Sequence, residues 1–230
     1  MTILILQNHP AEGLGLHEQY LLDRHIDHRI VPAWADEPLP DPAGFEAVIV
    51  GGTPICVRES AKHAFLARER AWLERLVESH GNALGICFGA QLLASILGAD
   101  VRRNPVMEIG GYELWLTEAG RADPLLAHFP AAFPVFHWHG DTFDIPPGAS
   151  HLVAGESCPH QMFRSGGIIG LQFHIEITVA QAARWTVEYA HELPEAGKTA
   201  GQVVAECRSR QPAMDELAVR FMDNWLASLG

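Results

Sequence analysis

Residues 83–98, ALGICFGAQLLASILG, constrain the local shape of the chain more than any other stretch. The apolar run from Ala83 to Ile86 reads as a short buried strand. Cys87 follows, with Gly85 two residues before it and Gly89 two residues after. From Ala90 onward apolar residues recur at helical spacing. The pattern is a strand, a sharp turn and a helix, with a thiol at the turn. Backbone segments approach closely around such a turn, so the flanking positions need residues without side chains. The helix start supplies free N–H groups and partial positive charge, which favour thiolate over thiol. A packing role competes with this reading, because free cysteine is among the most buried residue types. The paired glycines and the strand-to-helix switch favour a nucleophile.

A thiol nucleophile needs a base, and the base needs a group that orients it. Thirteen histidines make a chance candidate easy to find, so context decides. GIIGLQFHIEI, residues 167–177, is a β-type run that ends in His174, with Glu176 two residues later. Residues two apart on a strand share a side. Glu176 can then hold one imidazole nitrogen and leave the other facing the thiol. The competing reading is a strand end with two solvated polar residues. The upstream elbow favours a Cys87–His174–Glu176 triad.

GICFGAQ followed by LQFHIE resembles the class I glutamine amidotransferase family, both in the order Cys…His-x-Glu and in the pattern G-x-C-x-G-x-Q. VIVGGTPICV, residues 48–57, resembles the strand and glycine turn that supplies that family's oxyanion hole. FHWHGDTFDIP, residues 136–146, resembles the segment beside the glutamine pocket in relatives of the GMP synthetase amidotransferase domain. The resemblance covers roughly residues 1–190. It implies a three-layer, flavodoxin-like α/β fold: a central, mostly parallel mixed sheet with helices on both faces. It implies hydrolysis of the glutamine side-chain amide through a thioester on Cys87. His174 would carry the proton and Glu176 would fix its tautomer. The backbone N–H groups of Gly52 and Phe88 would hold the oxyanion. Gln91, Trp138, His139, Gly140 and Asp141 would meet the substrate. No metal or organic cofactor is required.

Two departures matter. The family's usual His-Pro-Glu is His174-Ile175-Glu176, which changes local stiffness and keeps the reacting groups. No ATP-using synthetase domain is encoded in these 230 residues, so a separate synthetase subunit would receive the ammonia. A stand-alone γ-glutamyl peptide hydrolase is the alternative enzyme. A non-catalytic regulatory protein with the same fold is the third reading, and the intact triad argues against it. Gly51–Val57 is the segment expected to need a docked partner for full organisation.

The chain is long enough for one large domain, read as 1–192, with a helical extension at 193–230 packed on it. LPEAGKTAGQ marks the junction. Two short helical patterns follow, the second with Met214, Ala218, Phe221 and Trp225 on one face, a surface that docks on the body or forms a homodimer. A net charge of −12 and no basic run give nucleic acid or an anionic membrane no electrostatic footing. No stretch is long enough to span a bilayer, and MTILILQNHP lacks a basic lead. Four cysteines without paired spacing suggest free thiols in a reducing compartment, the cytoplasm. Strands are expected at 2–7, 29–34 and 45–50, then several short ones between 106 and 174. Helices are expected at 14–24, 60–79 and 178–193, the last capped by Thr178. In the second of these, Phe65, Trp72 and Leu76 form the core face and the charges a solvated one. His137, His139 and Asp141 alternate as a metal trio would, but the resemblance reads them as pocket wall and no metal is assigned. Cys56 reads as a packing residue.

Overall fold

The computed structural model describes residues 1–35 and 37–229, and within them every strand belongs to one nine-stranded sheet. In chain order the elements are β1 (Thr2–Gln7), α1 (Gly15–Asp23), β2 (Asp27–Pro32), β3 (Ala47–Val50), α2 (Ala64–Glu78), β4 (Ala83–Ile86) and α3 (Phe88–Ile96). There follow β5 (Val101–Leu116), α4 (Glu118–Ala122), β6 (Ala132–Phe143), β7 (Ser150–Ala154), β8 (Met162–Ser165) and β9 (Ile168–Leu171). Two helices, α5 (Val179–Glu188) and α6 (Ala200–Ala227), end the chain. The sheet order is β2-β1-β3-β4-β9-β8-β7-β5-β6. Pairing is parallel from β2 to β9 and antiparallel from β9 to β6.

The parallel strands are apolar on both faces because helices cover both. Ile3, Ile5, Ile49 and Leu84 pack with Leu21 of α1 and with Leu217, Phe221 and Trp225 of α6. Leu4, Leu6, Val48 and Val50 point the other way, against Trp72 and Leu73 of α2 and Leu92 and Leu93 of α3. The expected three-layer α/β architecture is the observed one. The antiparallel strands after α3 widen the sheet and bring the β6 wall round towards the C-terminal ends of β1, β3 and β4. In open α/β sheets, ligand sites form outside those ends.

Several local readings need correction. The tail is one 28-residue helix, not two short ones, and Pro212 lies inside it. A helix-interior proline costs about 3 kcal/mol. Here Val203 and Cys207 before it, and Met214, Leu217, Phe221 and Trp225 after it, are all buried, so apolar burial on both sides offsets that cost. The helix expected at 60–79 begins as a 3₁₀ turn, Val57–Lys62, before α2 proper. Its charged face is not wholly solvated, since Glu69 is fully buried and accepts from Asn8 Nδ2 at 3.0 Å. β2 starts two residues earlier than expected, and β8 is a strand the sequence pattern did not mark. Thr178 does cap α5, in a reciprocal capping box with Gln181.

Candidate active site

Cys87 follows the end of β4, which lies between β3 and β9, and is the N-cap of α3. Its backbone is at φ 52°, ψ −107°, a region that non-glycine residues enter only under constraint. Its N–H donates to the Leu171 carbonyl at 2.7 Å, which ties the elbow to β9. A Cβ at Gly85 would overlap the backbone of Gly89, and a Cβ at Gly89 would overlap the carbonyl of Val50. Both flanking glycines are therefore required by backbone approach.

His174 lies three residues past the end of β9 rather than on it. It is held by a bridge to β6: its N–H donates to Phe136 O at 2.8 Å and its carbonyl accepts from Phe136 N–H at 2.9 Å. His174 Nδ1 meets Glu176 Oε1 at 2.5 Å, and the second oxygen of Glu176 accepts from the Ile175 N–H. The Trp185 ring packs edge-on against the imidazole, 5.1 Å away. His174 Nε2 is buried without a hydrogen-bond partner, and His174 lines the same cleft as Cys87. The carboxylate thus fixes one ring nitrogen and leaves the other towards the thiol.

Electrostatics here are a contest between burial and partners. Burial alone would lower the His174 pKa. The Glu176 carboxylate and contact with Cys87 outweigh burial and hold the imidazole well above its ordinary range. Burial would raise Glu176, and the imidazole brings it below its ordinary value instead. The Cys87 thiol is pushed up by burial, partly offset by His174 and by the Phe88 backbone N–H.

The cleft has a cavity volume of about 90 Å³, and Cys87 and His174 both line it. Gly52 lies beside the thiol, for a Cβ there would come within 3.8 Å of Cys87 Cβ and overlap Glu12 Oε2. Phe88 follows Cys87 directly at the first helical position. Trp138, His139, Gly140 and Asp141 form one wall, and the Trp138 carbonyl lies 3.7 Å from Cys87 Sγ. Gln91 also lines the cleft. Its Nε2 donates to Asp141 O and to Gln172 Oε1, both at 3.1 Å, and so braces that wall. Asp141 is ion-paired with Arg58 at 3.1 Å. It therefore stands apart from the trio it was weighed with. Among the described residues, those close enough to share a metal are His137, His139 and Glu108, which faces His139 from β5. Cys56 lines the cleft rather than the core.

Sequence reasoning missed three lining or tethering residues. Glu12, in the loop after β1, accepts from Tyr189 at 2.9 Å, and burial pushes its carboxyl up to about 7. Tyr189 comes from the end of α5. Arg58, from the 3₁₀ turn after Gly51–Val57, ties that segment to Asp141 across the cleft. The one available signal was position: Glu12 is a polar residue just past the C-terminal end of a parallel strand.

The family described as Glutamine amidotransferase class-I matches residues 16–186 of the chain. A glutamine amidotransferase-like protein of Salmonella typhimurium, YfeJ, is 33% identical over 97% of this chain and 96% of its own length. The glutamine-hydrolysing GMP synthase of Thermomicrobium roseum is 32% identical over 76% of this chain but only 31% of its own length. Among solved structures, a glutamine amidotransferase from Thermotoga maritima superimposes with a TM-score of 0.87, at 27% identity, covering 98% of both chains.

Proposed function

The chain belongs to the class I glutamine amidotransferases, and on that premise we propose that it hydrolyses the side-chain amide of glutamine through a γ-glutamyl thioester. The observation that carries this reading is the His174 imidazole, pinned through Nδ1 by Glu176 at 2.5 Å with Nε2 left unpartnered in the Cys87 cleft. Cys87 Sγ attacks the carboxamide carbon while His174 Nε2 takes the thiol proton. The imidazolium, stabilised by Glu176, returns that proton to the leaving nitrogen, and ammonia departs. Water then attacks the thioester carbonyl. Its proton passes to His174 and on to the sulfur, which leaves as the thiol with release of glutamate.

The tetrahedral oxyanion needs preorganised donors. The Gly52 and Phe88 N–H groups would serve as those donors, a role supported by Gly52 lying beside Cys87 and Phe88 following it at the first position of α3. The β6 wall from Trp138 to Asp141, braced by Gln91, would meet the amino-acid end of the substrate. A separate synthetase would take up the ammonia, as the likeness to the amidotransferase part of a GMP synthase suggests. Steady-state kinetics of the isolated chain test the assignment. Slow glutamine hydrolysis that accelerates with an added synthetase supports it. Turnover of γ-glutamyl peptides far above that of glutamine, with no added protein, replaces it with a peptide hydrolase.

A further inference from the structure

We propose that Glu108, His137 and His139 form a buried site for one divalent metal ion, Zn²⁺, that ties β5 to β6 behind the cleft wall. His139 Nδ1 lies 3.0 Å from the Asp141 carbonyl. A carbonyl only accepts, so Nδ1 carries a proton, and in the neutral ring the lone pair sits on Nε2. That lone pair lies 2.9 Å from Glu108 Oε2 and makes no hydrogen bond. Two acceptors pressed together in a dry interior are reconciled by a positive charge between them, a proton or a metal ion, and two imidazoles converging on one carboxylate are a metal-binding donor set. His137 is fully buried, neither of its nitrogens has a partner, and its Nε2 is 4.0 Å from the same carboxylate oxygen.

The three ligand atoms lie within 4.8 Å of one another. Zinc bonds of about 2.1 Å in a tetrahedron set ligands roughly 3.4 Å apart, which the distances here bracket. Two imidazoles and one carboxylate suit zinc and other first-row ions better than Mg²⁺ or Ca²⁺. Gln161 Nε2 donates to Glu108 Oε2 at 3.2 Å, while its Oε1 is buried without a partner and can fill or support a fourth position. Register explains why one strand alone cannot display the site: Glu108 pairs with His139 and Gly110 with His137 across β5 and β6. The ion takes no part in the amide chemistry. It fixes the strand that carries the Trp138 carbonyl and the cleft wall.

The test is elemental analysis of protein purified without chelator, then Zn²⁺ titration of the chelator-stripped protein with thermal unfolding as a second readout. We expect about one zinc per chain and a higher Tm on zinc addition. His137→Gln and Glu108→Gln should each weaken zinc binding by more than the roughly 10–100-fold that outer-shell changes cause. Both variants keep near-native volume, and their circular dichroism checks the fold. No stoichiometric zinc and no Tm response in the wild type would overturn the proposal, leaving a proton or a buried water between these groups. Unchanged zinc binding in both variants would also overturn it, by placing the metal elsewhere. None of these readouts depends on amide hydrolysis.

Discussion

Glu176 Oε1 lies 2.5 Å from His174 Nδ1, and neither side chain is more than marginally exposed. A carboxylate in that position does two things: it selects the tautomer and it stabilises the imidazolium. Glu176→Gln keeps the shape and removes the charge. We expect kcat for glutamine hydrolysis to fall about 10²–10⁴-fold with KM little changed. The His174 imidazole, followed by NMR, should titrate at lower pH than in the wild type. An unaltered imidazole titration would show that Glu176 is not what holds it up.

The elbow glycines make a stability prediction. Gly85→Ala places a Cβ into the Gly89 backbone, which has no flexible side chain to yield. The expected cost is roughly 3 kcal/mol, read from urea unfolding. Gly201→Ala provides the contrast, because nothing lies near its Cβ and it sits in α6. That change should stabilise by about 0.5–1 kcal/mol. Equal effects at the two positions would contradict the close approach at the elbow.

Glu69 predicts a pH dependence. Burial raises its carboxyl to about 8, despite the Asn8 bond that lowers it. The folded state therefore keeps this proton to higher pH than the unfolded chain. Its stabilising effect is complete below the ordinary value of 4.5 and is lost as pH rises through about 8. Wild-type stability relative to Glu69→Gln should fall by on the order of 4 kcal/mol across that window. Parallel stability–pH curves for the two proteins would show that Glu69 ionises normally.

The elbow was legible because close backbone approach leaves a local mark: two glycines flanking Cys87 at fixed spacing. The alternating parallel strands and the Thr178 cap were legible for the same reason, since each is settled by neighbours in sequence. What escaped was assembled at a distance. Glu12, Arg58 and Tyr189 reach the cleft from three separate segments, and no short pattern joins them. Glu108 joins His137 and His139 only through the β5–β6 register. The tail read as two short helical patterns, whereas burial on both sides of Pro212 joins it into the single helix α6. His174 was found by its motif, while its position depends on a bridge to Phe136 that the motif does not contain.

The central claim is that Cys87, alone among four cysteines, forms the bond to substrate. Mass spectrometry of the protein after treatment with a glutamine-like diazo-ketone tests it most directly. The account predicts one adduct per chain, on the peptide that holds Cys87, with loss of glutaminase activity in step with labelling. Cys87→Ala should take up no label and hydrolyse no glutamine while unfolding like the wild type. An adduct on Cys56, or glutamine hydrolysis that survives Cys87→Ala, would contradict it.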